Sequence, residues 1–342
     1  MKILQKIMAG SPLSVREAEL GMGEIMDGKS TPAQIAGLIV ALRMKGETPD
    51  EIMGFALAMR TRGVRVRPRA KIVADTCGTG GDGKGTLNIS TAAALVSAAA
   101  GVSIAKHGNR SVSSRSGSAD VLEALGVRID PPSSTVEKCL DEAGFAFFFA
   151  PMFHPAMKYA GPVRRELGVP TIFNMLGPLT NPAGAQVQLL GVAKKAHLEL
   201  IAGALAKLGT RHSLVVHSAD GLDELTPTGS TMALEVRGHS VLRRKTMAPE
   251  EYGIKRCRIS DLIGSDAGYN AGRLRELLAG KRDAYRSAVV YNAGAVCWLA
   301  GKARTIRQGV ALAESVIDSG AARERLELIA RITQEGEKGG AA

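Results

Sequence analysis

The first 65 residues repeat a pattern in which a hydroxyl residue precedes a run of apolar residues at helical spacing. Ser14 and Glu17 form a capping-box pair, and Thr31 and Thr48 each precede a proline suited to the first turn of a helix. The apolar positions that follow are Ile35, Leu38, Ile39 and Leu42, and then Ile52, Phe55, Ala56 and Met59. The pattern predicts an all-helical region whose apolar faces form a core or a subunit interface.

From about residue 70 the pattern changes to short apolar runs that alternate with helical stretches. The apolar runs predict strands at 72–75, 102–106, 145–150, 186–192 and 213–217. The stretches between them predict helices at 91–100, 118–125, 134–143 and 196–208. Ser134 and Glu137 resemble a capping box at the start of the third of these helices. This alternation predicts an α/β domain with a mostly parallel sheet.

Three loops follow the predicted strands directly, at residues 76–90, 106–117 and 217–226. In open α/β sheets, ligands bind beyond the carboxyl ends of the strands. We therefore expect these loops to converge on one crevice, together with a fourth segment at residues 154–182.

The first loop is rich in glycine and precedes a helix, which is typical of an anion site. Gly78, Gly80 and Gly83 satisfy the dinucleotide spacing, but no acidic residue follows at the position which that site requires. Residues 78–84 also satisfy most of the P-loop pattern, but Gly85 stands where a serine or threonine should hold magnesium. The loop therefore predicts a phosphate site of another kind.

The second loop, residues 106–114, is dense in hydrogen-bond donors that suit phosphate. His107 could act there as a general acid or base, or serve only in packing and hydrogen bonding. In the third loop, Asp223 and Glu224 are adjacent carboxylates that suit magnesium. In the fourth segment, Arg164 could clamp a carboxylate or form an ordinary surface ion pair.

Composition limits the range of possible functions but does not identify one. The 342 residues carry a formal net charge of +11, which suggests anionic ligands, and the basic residues are spread along the chain. Aromatic residues make up only 4% of the chain, so stacking platforms for single-stranded nucleic acid are scarce. The four cysteines are far apart and predict reduced thiols. With no signal peptide or membrane span evident, we expect a cytoplasmic protein.

Taken together, the motifs resemble those of the anthranilate phosphoribosyltransferase family over essentially the whole chain. The matching motifs lie at residues 75–82, 88–91, 106–110, 117–120, 174–182 and 221–224. The resemblance implies a nucleoside-phosphorylase-like fold in which a small helical domain adjoins a large α/β domain. The helical domain would comprise residues 1–65 with part of 155–185 and form a homodimer, and residues 70–342 would bind phosphoribosyl pyrophosphate.

The resemblance also implies a role for each matching position. The residues that would bind phosphoribosyl pyrophosphate are Gly78, Gly81, Asp82, Thr86, Asn88, Ile89, Ser90, Thr91, Lys106, His107, Gly108, Asn109, Arg110, Ser111, Val112, Ser113, Ser114 and Ser118. Anthranilate would contact Gly78, Asn109 and Arg164, and Mg²⁺ would be held by Ser90, Asp223 and Glu224. Leu87 and Pro170 depart from the residues that many relatives carry, phenylalanine and arginine.

The implied reaction transfers phosphoribose to the amino group of anthranilate and releases pyrophosphate, as a step of tryptophan biosynthesis. No side chain is expected to act as a catalytic nucleophile or base, because the aromatic amine is neutral at pH 7. Two alternatives remain open at this point. One is a pyrimidine nucleoside phosphorylase-like enzyme, and the other is a non-catalytic relative that binds nucleic acid. We expect neither nucleic acid nor a membrane as a partner.

Overall fold

A computed structural model describes residues 2–111 and 115–335 of the chain. It begins with four helices, α1 (Lys2–Met8), α2 (Val15–Met26), α3 (Pro32–Lys45) and α4 (Pro49–Arg62). The predicted caps are confirmed: Ser14, Thr31 and Thr48 each accept the backbone N–H three residues on, and a Glu or Gln side chain returns the bond. The all-helical start of the chain is thus encoded locally.

The α/β part is built on one seven-stranded sheet. Its strands are β1 (Ala74–Asp75), β2 (Ile104–Gly108), β3 (Phe145–Phe149), β4 (Val187–Gly191), β5 (Thr210–Ser218), β6 (Thr231–Gly238) and β7 (Ser240–Met247). The spatial order is β3-β2-β1-β4-β5-β6-β7, in which the first five strands are parallel and the last two antiparallel. The predicted mostly parallel sheet is confirmed, although the sequence analysis did not identify β6 and β7.

Eleven further helices are assigned within the described residues. They are α5 (Ile89–Ala99), α6 (Ser118–Ala124), α7 (Ser133–Ala143), α8 (Ala150–Phe153), α9 (Gly161–Leu167), α10 (Phe173–Leu176), α11 (His197–Leu208), α12 (Ala267–Leu278), α13 (Ala284–Leu299), α14 (Ile306–Asp318) and α15 (Ala321–Glu335). The predicted capping box at Ser134 is wrong. Helix α7 begins one residue earlier, and Pro132 occupies the N-cap position without a side-chain bond.

Two apolar clusters cover the two faces of the sheet. One contains residues of α5, α6, α7 and α12 to α15. The other joins the N-terminal helices to α9, α10, α11 and one face of β4, β5 and β6. The stripes predicted on α3 and α4, including Leu38 and Phe55, are fully buried in this second cluster. They form a core within the chain, which is the first of the two roles that the sequence left open, and they are not exposed to a second subunit.

Two expectations drawn from composition can be compared with the structure. All four cysteines, Cys77, Cys139, Cys257 and Cys297, are free, as the sequence predicted. In the described ranges no helix is both long enough and apolar enough to cross a membrane.

Candidate active site

The first and third loops meet at the carboxyl ends of β1, β4 and β5. The backbone N–H of Gly80 donates to Asp223 Oδ2 at 2.9 Å, and the N–H of Thr79 donates to the Gly191 carbonyl at 2.9 Å. The glycine loop therefore lies across the acidic loop, and the predicted convergence of these two loops is confirmed.

Glycine is required in the first loop for two different reasons. Gly80, Gly81, Gly83 and Gly85 have φ values of 63°, 80°, 68° and 63°, in the left-handed region that side chains disfavour. Gly78 instead needs space, because a Cβ atom there would lie 2.8 Å from Asp223 Oδ2. The loop can therefore bring backbone N–H groups close to a bound anion.

The start of helix α5 faces the same crevice. The Asn88 side chain does not cap the helix: its amide group donates to the Ser116 carbonyl at 3.2 Å and its oxygen accepts a bond from Asn270 at 2.9 Å. Burial raises the pKa of Glu224, and the backbone N–H of Ser90 opposes that rise. Asn88 therefore positions the loop through its side chain, and sequence analysis did not identify Asn270 as its partner.

Lys106 is a buried cation at the centre of this edge of the sheet. Its side chain is 2% exposed, and Nζ donates to Thr76 Oγ1 at 3.1 Å and to Ser90 Oγ at 3.4 Å. Its charge lowers the pKa values of Asp75 and Glu224, against the larger effect of burial. The positive charge is thus fixed beside the hydroxyl and backbone groups of the α5 start, where it suits a bound phosphate.

The side chain of His107 contacts the fourth segment. Its ring Nδ1 lies 2.9 Å from the Gly177 carbonyl, and the rings of His107 and His154 meet edge to face at 5.2 Å. Burial, and then the neighbouring His154, lowers the pKa of His107 to about 3. The imidazole is therefore neutral at pH 7 and too weak a base for proton abstraction, so of the two roles left open by the sequence the structure favours packing and hydrogen bonding.

Several polar groups of the second loop form hydrogen bonds within the protein. Ser118 Oγ donates to the Asn109 carbonyl at 3.3 Å, and the Arg110 guanidinium donates to Asp120 at 3.0 Å and to Glu123 at 2.8 Å. These acids raise the pKa of Arg110 and direct it toward helix α6. The backbone N–H of Ser111 also donates to Asp120. The remaining predicted residues of this loop, Val112, Ser113 and Ser114, lie outside the described residues.

Three carboxylates gather where the first and third loops cross. Burial, and then Asp82, raises the pKa of Asp223 to about 6, while burial, and then Asp223, raises the pKa of Glu224 well above its usual range. Asp82 was predicted to contact phosphoribosyl pyrophosphate, and its place beside Asp223 was not foreseen. Burial and the mutual repulsion of the acids both disfavour the ionised forms, so a cation bound beside them would relieve an existing repulsion.

The acidic cluster supplies only some of the ligands that a magnesium ion needs. Asp223, Glu224 and the Ser90 hydroxyl offer oxygen atoms, which Mg²⁺ prefers. Across residues 2–111 and 115–335, however, no group of three or more His, Cys, Asp or Glu side chains could hold a metal ion by itself. The donor set therefore suits an ion that completes its coordination with water and substrate phosphate.

Arg164 lies on α9, outside this network of loops. Its guanidinium stands over the ring of Phe173, 5.1 Å from the centroid, and burial lowers its pKa. Within the part of the chain that the structure describes, no carboxylate pairs with it, whereas Arg165 is exposed. Of the two roles left open by the sequence, the structure favours a half-buried cation available to a ligand carboxylate over an ordinary ion pair.

The two departures from the family pattern are placed differently. Leu87 is 2% exposed and lies in the apolar core, with its N–H donating to the Leu262 carbonyl at 2.9 Å. Pro170 is exposed in the turn that follows α9. Neither residue occupies a position that was matched to a ligand.

Comparison with known proteins supports one family over the whole chain. Residues 1–63 match the model of the glycosyl transferase family, helical bundle domain, and residues 70–323 match that of the glycosyl transferase family, a/b domain. The anthranilate phosphoribosyltransferase of Moorella thermoacetica is 52% identical over 324 residues, which cover 95% of this chain and 95% of that protein.

Solved structures agree with the sequence comparison. The anthranilate phosphoribosyltransferase of Thermus thermophilus superposes with a TM-score of 0.93 at 45% identity, covering 98% of this chain and 100% of the other. The Saccharomyces cerevisiae enzyme, in complex with phosphoribosyl pyrophosphate and Mg, superposes with a TM-score of 0.85 at 28% identity, covering 94% and 93%. The same yeast enzyme has been solved with 4-fluoroanthranilate.

These full-length similarities favour the transferase over the two alternatives left open by the sequence, a nucleoside phosphorylase-like enzyme and a nucleic-acid-binding relative. The chain belongs to the glycosyl transferase family and, within it, to the anthranilate phosphoribosyltransferases.

Proposed function

We propose that this protein transfers the phosphoribosyl group of phosphoribosyl pyrophosphate to the amino group of anthranilate, as a step of tryptophan biosynthesis. The products are N-(5-phosphoribosyl)anthranilate and pyrophosphate. The observation that carries the proposal is the crossing of the glycine loop over the acidic loop, where the Gly80 N–H meets Asp223. This crossing places anion-binding N–H groups beside carboxylates that suit Mg²⁺, as a magnesium pyrophosphate group requires.

The donor substrate would lie between the first two loops and the start of α5. Gly78, Gly81, Asp82 and Thr86 would line it, and the segment from Asn88 to Thr91 would hold its phosphates with residues 106–111 and Ser118. Lys106 supplies a fixed positive charge next to the α5 start. In contrast, we expect Arg110 to order the loop through its bonds to α6, because its guanidinium is already engaged with two acids.

Asp223 and Glu224, with the Ser90 hydroxyl, would hold Mg²⁺ against the pyrophosphate. When bound, the ion neutralises negative charge on the leaving group. A bound cation would offset the repulsion between Asp223 and Glu224, which would lower their raised pKa values and keep both ionised. The glycine-loop N–H groups stabilise the same developing charge.

The acceptor would be held by its carboxylate. Arg164 offers a planar donor fork, and Asn109 and Gly78 would complete the anthranilate site. Fixing the carboxylate aims the adjacent amine, because the two groups are neighbours on one aromatic ring. The Phe173 ring under the guanidinium limits the orientations that Arg164 can take.

No side chain needs to remove a proton before attack. The neutral amine nitrogen bonds to the sugar carbon as the bond from that carbon to pyrophosphate oxygen breaks, and pyrophosphate leaves with the electron pair. The nitrogen then releases its proton. The low pKa of His107 accords with this mechanism, since its imidazole would not act as a base. Catalysis would come from positioning and electrostatic stabilisation.

The decisive test is the depletion of anthranilate fluorescence when the protein is mixed with phosphoribosyl pyrophosphate and magnesium, with pyrophosphate measured in parallel. We expect one pyrophosphate per anthranilate consumed and no reaction in excess chelator. Absence of anthranilate consumption by folded protein at saturating donor would refute the proposed function.

We also infer that the protein is a cytoplasmic homodimer, with the helical domain of residues 1–65 and part of 155–185 forming the contact. The predicted apolar stripes are internal, so a different surface must be used. Met8 and Met44 are 73% and 82% exposed, and Val40 is 41% exposed, on helices α1 and α3, which pack against each other. A second copy of the same surface would cover these side chains.

A further inference from the structure

The segment that follows α10 is tied to the sheet through the side chain of Asn181. Its amide nitrogen donates to Asp75 Oδ2 at 2.8 Å and to the Ala105 carbonyl at 2.7 Å, and its oxygen accepts the N–H of Ala183 at 2.9 Å. Asn181 is 4% exposed. One side chain thus joins this segment to the carboxyl end of β1 and to Ala105, near the start of the adjacent parallel strand β2.

Asp75 holds the second loop as well. Its other carboxylate oxygen, Oδ1, accepts the backbone N–H of His107 at 3.2 Å, at the point where the second loop leaves β2. Asp75 is fully buried and lies close to the charge of Lys106. A single carboxylate therefore fixes both the base of the phosphate-binding loop and, through Asn181, the segment on the acceptor side.

The acceptor side depends on this attachment because the chain is short between the two points. Asn181 lies five residues after the end of α10 at Leu176, and Phe173 on that helix carries the Arg164 guanidinium. Two further contacts fix the intervening turn: the Gln188 side chain donates to the Pro178 carbonyl at 2.6 Å, and Arg60 donates to the Leu179 carbonyl at 2.6 Å. These two contacts hold the turn to β4 and α4, and the Asn181 side chain is the attachment that ties it to Asp75 and hence to the donor loop.

We propose that Asp75 and Asn181 are positioning residues that set the distance between the bound acceptor and the sugar carbon of the donor. Neither residue touches a substrate in the proposed function, on which this inference rests. Their bond links the loop that binds the donor to the segment that bears the acceptor arginine. Because a misplacement of about 1 Å can cost about 10²-fold in rate, such a link affects turnover more than binding.

Loss of the link has a specific chemical consequence. If the amine is displaced, water can reach the sugar carbon instead. A water oxygen then bonds to that carbon, the bond to pyrophosphate breaks with its electron pair on pyrophosphate, and the water loses a proton to solvent. The products are ribose 5-phosphate and pyrophosphate, so pyrophosphate appears without consumption of anthranilate.

The test compares Asn181→Ala with the wild-type protein by the ratio of pyrophosphate released to anthranilate consumed. We expect the ratio to rise from 1 to 2 or more and the rate of transfer to fall by about 10- to 100-fold. The directly measured dissociation constant for phosphoribosyl pyrophosphate with magnesium should change by less than about threefold. A merely structural role would reduce the active fraction and leave the ratio at 1.

Two further variants keep the test decisive. Thr210→Val is the matched control, since it removes a buried hydroxyl that bonds the Gln186 carbonyl at 2.9 Å at the opposite end of β5. If Asn181→Ala does not fold, Asn181→Ser replaces it, because serine is too short to keep both bonds.

The outcomes separate this inference from the proposed function. A wild-type protein that does not consume anthranilate refutes the proposed function, and the positioning role with it. An active wild type combined with a ratio of 1 in the folded Asn181 variant refutes the positioning role alone. An equally raised ratio in Thr210→Val would also refute it, because the effect would then follow general destabilisation.

Discussion

Replacement of Arg164 by alanine should weaken the binding of anthranilate while leaving the donor site intact. The structure provides the reason: the guanidinium is half-buried over Phe173 and no described carboxylate pairs with it. A cation in this position loses hydration without gaining a partner, which its lowered pKa reflects. The anthranilate carboxylate would supply that partner, so the favourable interaction is realised only in the complex.

The magnitude follows from the bonds that the guanidinium can make. A charge-assisted hydrogen bond contributes about 1.5–3 kcal/mol, and about 1.4 kcal/mol corresponds to a tenfold change in affinity. Alanine at position 164 should therefore raise the Michaelis constant for anthranilate by about 10- to 100-fold. The Michaelis constant for phosphoribosyl pyrophosphate should stay within about threefold, because the donor loops make no described contact with Arg164. Steady-state depletion of anthranilate fluorescence, with each substrate varied in turn, measures both constants.

Arg165 provides an internal control of the same chemistry. It is the next residue on α9, points about 100° away around the helix and is exposed. Arg165→Ala should leave both Michaelis constants near those of the wild type. A larger effect on anthranilate from Arg165→Ala than from Arg164→Ala would show that the wrong arginine was assigned. If neither substitution changes the constant, the acceptor is held elsewhere and the identity of the substrate is in doubt.

Three other outcomes follow from the same structure. Asp223→Asn with Glu224→Gln should abolish turnover in a folded protein, and near-normal activity across a magnesium titration would contradict the metal role. Because the folded-state pKa of Asp223 is raised from 3.8 to about 6, its ionisation destabilises the fold as the pH rises through that window. Asp223→Asn alone should therefore raise the free energy of unfolding of the metal-free protein by about 1–3 kcal/mol at pH 7.5 and by little at pH 4. Denaturant-induced unfolding measured at both pH values tests this. Val40→Glu with Met44→Glu should convert the dimer to a monomer in sedimentation at micromolar concentration. The control Leu242→Glu, on the exposed strand β7, should leave the dimer intact. A monomeric wild type would refute the dimer.

The parts of the fold that depend on local chemistry were predictable from sequence. Ser14, Thr31 and Thr48 cap their helices as predicted because a cap needs only the few residues that follow it. The cap at Ser134 was wrong for an equally local reason. Pro132 can occupy the N-cap position itself, and its fixed φ suits the start of a helix, so α7 starts one residue early.

Features that depend on distant contacts were not predictable in this way. An apolar helix face has the same pattern whether it meets its own chain or a second copy, so the sequence could not decide between a core and a subunit interface for the buried stripe around Phe55. Arg110 in a serine-rich loop resembles a phosphate ligand, and only the fold brings Asp120 and Glu123 to its guanidinium. The link between Asn181 and Asp75 spans 106 residues of sequence. No spacing rule could have indicated it.

The charged residues of the site are not paired in the way that stabilises a fold. Their arrangement indicates which ligands would complete the site. At one end of the crevice, burial and then the neighbouring Asp82 raise the pKa of Asp223. At the other end Arg164 is half-buried, and none of the described acids pairs with it. If only the stability of the fold mattered, such charges would be paired or replaced by neutral side chains. The acids around Asp223 suit a cation bound together with a polyphosphate, and Arg164 suits a ligand carboxylate. The substrate pair of the proposed function would satisfy both, and the bond between Asn181 and Asp75 would set the distance between the two substrates.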